Sequence, residues 1–94
     1  MFKISIVETS SQRRLVLEGK LVPPCTAEVE RAWKTAAEQL GGRKLIVDLT
    51  NVTLIVREGE DTLFKLMQEG ARFCCGDVFT KHVVKRLAQK IPVS

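Results

Sequence analysis

Two groups of residues in this chain have the type and spacing to do chemistry. One is the carboxylate Asp48, which follows the apolar run Leu45, Ile46 and Val47; the other is the charged run Arg57, Glu58, Gly59, Glu60 and Asp61. A lone carboxylate at a strand end can serve as a general base or accept backbone hydrogen bonds in the next turn. Asp48 is read as the second, with Asn51 supplying turn chemistry beside it. In the charged run, Glu58, Glu60 and Asp61 stand where a helix begins, at the positive end of its dipole, with Arg57 just ahead of them. Such a turn can meet a partner's carboxylates and its cations together. Ligands and partners of open α/β sheets meet the loops beyond the carboxyl ends of strands, so residues 48–51 and 56–61 are the expected functional loops.

Catalysis would need a nucleophile with a base, a carboxylate pair, a metal cluster or a phosphate loop, and the sequence offers none in a recognisable pattern. His82 is the only histidine, which excludes a His-rich metal site. Cys25 stands alone and Cys74 adjoins Cys75, neither a disulfide framework nor a C-x-x-C pair, so the pair is read as strand residues acting as small hydrophobes. The glycines at 41, 42, 59, 70 and 76 match neither G-x-G-x-x-G nor G-x-x-x-x-G-K-[ST]. The expectation is a protein that is not an enzyme and that holds no cofactor and no metal.

With 94 residues, the chain is expected to form a single domain spanning residues 1–94. Its 45% hydrophobic and 28% charged residues are ordinary for a globular protein. No apolar run approaches the ~20 residues that cross a bilayer, so no membrane insertion is expected. The opening residues lack the basic and apolar regions of a signal peptide, which points to the cytoplasm. The net charge of +4 is dispersed, without tyrosine and without interleaved aromatics. That distribution describes a solvated surface and at most weak, salt-sensitive, non-specific attraction to nucleic acid.

The elements that must position the two candidate loops follow from periodicity. Phe2, Ile4 and Ile6 alternate with Lys3 and Ser5, predicting a half-exposed strand over 2–8 that pairs with a strand over 14–17 ended by Gly19. Residues 20–24, with Pro23 and Pro24, read as a connector. Thr26 is the expected N-cap of a first helix whose inner stripe is Val29, Ala32, Trp33, Ala36, Ala37 and Leu40, terminated by Gly41 and Gly42. Residues 43–49 predict a central strand covered on both faces, followed by a turn at Thr50 and Asn51 and an apolar extension through Val52, Leu54 and Ile55. A second helix over 58–70 should turn Leu63, Phe64, Leu66, Met67 and Gly70 inward, and a short strand over 71–75 should follow. Asp77 should cap a third helix with Phe79, Val83, Val84, Leu87, Ala88 and Ile91 inward, Lys81, Lys85, Arg86 and Lys90 outward, and Pro92 as its stop. The fold class is α/β: a mixed sheet of roughly four to five strands, an antiparallel pair joined to parallel strands, packed with about three α-helices.

This order of elements, together with LVLEGKLVPPCTAEVERAW and KLIVDLTNVTLIVREGEDTLFKLMQEGARF, resembles the STAS domain of bacterial anti-sigma-factor antagonists and of sulfate-transporter tails. In that family an Asp-Leu strand end leads to Asp-Ser-Ser-Gly-Leu at the start of the second helix, where a serine is phosphorylated by a partner kinase. Asp48 and Leu49 match the strand end and Gly59 matches the glycine. Val56 stands at the aspartate, Arg57 and Glu58 at the serines, and Glu60 at the leucine. The resemblance therefore implies a STAS-like domain without the phosphoacceptor: a protein-interaction module in signalling and transcription regulation, meeting an anti-sigma factor or a kinase-like regulator through residues 57–61. Homo-oligomer formation is compatible with it. The alternatives are a small-ligand or nucleotide sensor, and a STAS-type subunit of a transport or signalling assembly.

Overall fold

The computed structural model describes residues 2–91. Its amino-terminal hairpin joins β1 (Phe2–Glu8) to β2 (Gln12–Leu21) in antiparallel register, from Phe2 opposite Gly19 to Glu8 opposite Arg13. The turn closes through Thr9, whose amide donates to the Gln12 carbonyl at 2.8 Å while its Oγ1 accepts from the Gln12 amide at 3.1 Å. β2 runs further than the sequence suggests. Gly19 does not end the strand; it takes φ of 101° at a register irregularity, which lets the ladder continue to Leu21.

α1 (Cys25–Ala36) begins after Pro24, not after Thr26, and no side chain caps it. It also stops well before Gly41 and Gly42. Arg13 explains the early end: its Nη1 donates to the Ala36 and Glu38 carbonyls, each at 2.7 Å, and so satisfies groups that another turn would have used. Ala37 is consequently exposed and Leu40 half-buried, off the helix. The chain then reverses through Gln39, Gly41 and Gly42, all at positive φ.

β3 (Lys44–Ile55) is one unbroken strand, with no turn at Thr50 and Asn51. The turn chemistry there produces a bulge instead. β2 advances from Val16 to Glu18 while β3 advances from Asp48 to Asn51, and β3 takes a second extra residue between Val52 and Leu54. These insertions change the spacing of buried residues from Leu45, Val47 and Leu49 to Val52 and Ile55, which keeps both halves of the strand facing the core.

α2 (Arg57–Gln68) buries Gly59, Thr62, Leu63 and Leu66, whereas Gly70 is exposed beyond its end at φ of 97°. Gly70 thus reverses the chain and lines no inner face. β4 (Arg72–Cys74) is followed by α3 (Val78–Ala88), where Asp77 Oδ1 accepts from the Thr80 amide at 2.7 Å and from its hydroxyl at 2.8 Å, the expected N-cap. Thr80, Val83 and Leu87 are buried, Phe79 and Ala88 are exposed, Ile91 lies past the helix, and Pro92 lies outside the described residues.

The four strands lie in the order β1-β2-β3-β4, antiparallel for the first pair and parallel for the next two, as the pattern of elements requires. The core includes Leu15, Leu17 and Leu21 of β2, Leu45, Val47, Leu49, Val52 and Ile55 of β3, and buried residues of all three helices. These strand residues share one face, so the helices form a single layer on that face. The expectation that both faces of the central strand are covered is therefore overturned: Ile46 and Asp48 lie on the open face. Ile6, expected inside, stands at the rim of the helical layer with 47% exposure.

Candidate functional site

Residues 57–61 form no loop. They are the first turn of α2, entered through an extended Val56 without a side-chain cap. The turn is held by its packing. A Cβ at Gly59 would lie 2.7 Å from the Leu21 carbonyl oxygen and 3.2 Å from Ile55 Cγ2, so only glycine lets the helix rest on the ends of β2 and β3. Arg57, Glu58 and Asp61 are left exposed. Glu60 is half-buried, and its Oε2 accepts from Arg86 Nη2 at 2.8 Å, which ties the turn to α3. Lys81, His82 and Lys85 of α3 are exposed, with Lys90 just beyond its end, so the acidic turn of α2 and the cationic face of α3 are linked through one ion pair. Thr62, the nearest hydroxyl, is only 5% exposed, and its Oγ1 donates to the Glu58 carbonyl at 3.1 Å.

Asp48 and Asn51 belong to a different surface. Asp48 sits within β3, not at its end, and faces the open side of the sheet; Asn51 is exposed and pairs in register with Glu18. Seven residues of extended chain, about 20 Å, separate Asp48 from the end of β3 where α2 starts. Asp48 is 8% exposed; its Oδ1 accepts from the Thr50 amide at 2.9 Å and its Oδ2 from Arg14 Nη1 at 3.3 Å. Burial pushes its carboxyl up, but hydrogen bonding from Thr50 and the Arg14 guanidinium outweigh it and hold the group below the usual carboxylate range. It is thus a strand carboxylate locked in its ionised form at the bulge, poorly suited to take up a proton as a base at neutral pH. Val7, Thr9, Gln12, Arg14, Val16 and Asp48 line a shallow depression there.

The sequence reading missed both arginines at the start of β2. Arg13 and Arg14 are adjacent, so strand alternation sends one to the helix face, where it holds the end of α1, and the other to the open face, where it pairs with Asp48. That alternation was the available signal. The cysteines are free; burial pushes the Cys75 thiol up, away from a thiolate nucleophile. No cluster of His, Cys, Asp and Glu among the described residues could hold a metal ion, and no described helix is long and apolar enough to cross a membrane.

The architecture defines the class: an α/β domain in which three helices cover one face of a mixed four-stranded sheet. No protein-family model matches the chain, and no curated protein matches it. Among solved structures it is similar to an antisigma-factor antagonist STAS domain from Rhodobacter sphaeroides, with 18% identity and a TM-score of 0.47 over 80% of this chain and 86% of that one. At that level the similarity bears on neither the site nor the partner.

Proposed function

We propose that this chain is a non-enzymatic protein-interaction module, resembling an anti-sigma-factor antagonist without a phosphoacceptor, whose contact surface is the first turn of α2 and the adjoining face of α3. The observation that supports it most is the Glu60 to Arg86 pair, which joins exposed Arg57, Glu58 and Asp61 to exposed Lys81 and Lys85 as one mixed-charge ridge on two packed helices. A surface carrying both signs selects a partner of complementary pattern, one that meets Arg57 with a carboxylate and the acidic turn with Lys or Arg. Neither Arg57 nor Glu58 has a hydroxyl, and the Thr62 hydroxyl is buried and engaged, so this surface is constitutive and not switched by phosphate.

Affinity capture from a native extract with wild type, Arg57→Glu and Asp61→Lys tests the reading. Each substitution is at an exposed site and leaves thermal stability nearly unchanged. The expected outcome is loss of the same captured protein by both variants, with at least a tenfold weaker complex on titration. Intact mass after incubation with the captured partner and ATP should show no added phosphate. Unchanged capture by both variants, or stoichiometric phosphothreonine coupled to release, would overturn the proposal.

A further inference from the structure

The outer edge of β1 carries a self-complementary pairing surface, and the geometry points to a second copy of this chain as its occupant. β1 is one end of the sheet, and among the described residues no strand lies on the outer side of its seven residues; the other end is the three-residue β4. Which backbone groups face outward follows from the hairpin. The Thr9 amide donates to the Gln12 carbonyl, so in an antiparallel ladder Val7, Ser5 and Lys3 turn their groups toward β2, while Glu8, Ile6, Ile4 and Phe2 turn theirs outward.

A two-fold axis through Ser5 sets Ile4 of one copy opposite Ile6 of the other and Phe2 opposite Glu8. In that register every outward group of both strands finds a partner; a shift of two residues in either direction leaves some unpaired. It also keeps like faces together, so both helical layers lie on one side of a continuous eight-stranded sheet. The side chains agree with this register. Ile6 and Val7 are 47% and 50% exposed, on opposite faces of the same edge. Ile6 would be covered by Ile4 of the partner copy, and Val7 by the aliphatic stem of the partner copy's Lys3. No like charges meet: Lys3 faces Val7, and Glu8, already paired with Arg13 and Arg43, faces Phe2. Lys3 and Glu8 are the charged side chains within the span and lie near its two ends, so its middle, Ile4 to Val7, carries none of the charges that guard an exposed edge. An edge about 23 Å long and one strand deep covers less than the ~800 Å² per partner of a stable complex, so the dimer exchanges with monomer as concentration changes.

The test is sedimentation equilibrium of the full chain from low micromolar to about millimolar concentration, with two variants. Wild type should pass from monomer to dimer and stop there, since the pairing is closed by its symmetry. Ile6→Pro removes an outward amide and leaves the β1 to β2 ladder intact, and it should stay monomeric. Ser5→Cys places thiols across the axis at a non-hydrogen-bonded site, where Cα atoms stand about 4.5 Å apart, within disulfide reach. Under mild oxidation it should give a covalent dimer linked at position 5, beyond any cross-linking by the native thiols in wild type. Should Ile6→Pro fail to fold, amide exchange in wild type decides: Ile4 and Ile6 amides should gain protection with concentration while Ser5 and Val7 do not change. Wild type that is monomeric throughout, including one that binds only a foreign extended peptide, overturns the proposal. So does a dimer whose linkage at position 5 is no faster than background.

Discussion

Gly59 shows how a residue without a side chain decides where a functional turn can sit. The helix start approaches the Leu21 carbonyl so closely that even a methyl group must displace backbone. Gly59→Ala should therefore lower stability by about 1–3 kcal/mol despite alanine's better helix propensity, measured by urea denaturation followed through Trp33 fluorescence. Trp33 is the sole tryptophan, 5% exposed, and its Nε1 donates to Glu69 Oε1 at 3.2 Å, so its emission reports loss of the helical layer directly. Asp48 gives the pH dependence. Its folded carboxyl titrates below the value of about 3.9 that it has in the unfolded chain. The stabilisation is thus complete above about pH 4 and is lost as pH falls through the lower folded value. Asp77 is depressed as well, first by the Thr80 amide and then by its hydroxyl, and acts in the same direction. Asp48→Asn should flatten the acid limb of the urea midpoint measured between about pH 6 and pH 2, and leave the Asp77 part in place.

Among the elements, α1 owes its length to a residue in another strand. Arg13 is expected to anchor its end through two carbonyls, and Arg13→Met, which keeps the stem but not the donors, should cost roughly 1.5–3 kcal/mol. Faster amide exchange confined to the last turn of α1 and residues 37–39 would check it. This contact was illegible in the sequence because Arg13 and Ala36 are brought together only by the packing of α1 on β2. The glycines at 41 and 42 advertised a reversal, and it is there, but they could not reveal that the helix had already stopped. The α2 and α3 stripes were legible, since Leu63, Leu66, Val83 and Leu87 repeat at helical spacing and are buried. β3 was legible in its first half, where burial alternates, and misread in its second, where two bulges replace the period of two with a period of three. Thr50 and Asn51 have turn chemistry, and that chemistry is spent on a bulge. The charged run was correctly placed at a helix start, yet its division into exposed Arg57, Glu58 and Asp61, paired Glu60 and inward Gly59 depends on Arg86 and Leu21, both distant in sequence.

For the whole molecule, the arrangement puts its unlike surfaces in separate places: a mixed-charge ridge on α2 and α3, an open sheet face crossed by the Arg14 to Asp48 pair, and an unpaired edge on β1. The ridge can be altered without touching the other two, because effects at well-separated sites add, whereas Val7 belongs to both the open face and the β1 edge. The parallel pairing of β2 with β3 has a consequence of another kind, for the order in which the structure can form. Its partners, Gln12 with Lys44 and Leu21 with Ile55, are separated by α1 and its turns. The hairpin of β1 and β2 is local and can close early, and α1 can pack on it, but the core around Leu15, Leu17 and Leu21 is incomplete until β3 and α2 arrive. The loop-closure entropy must be met before those contacts repay it, so the docking of β3 onto the hairpin is the expected slow step of folding. During that interval β1 and β2 together expose two open edges, and a growing chain is most vulnerable to mispairing before residue 55 has been made.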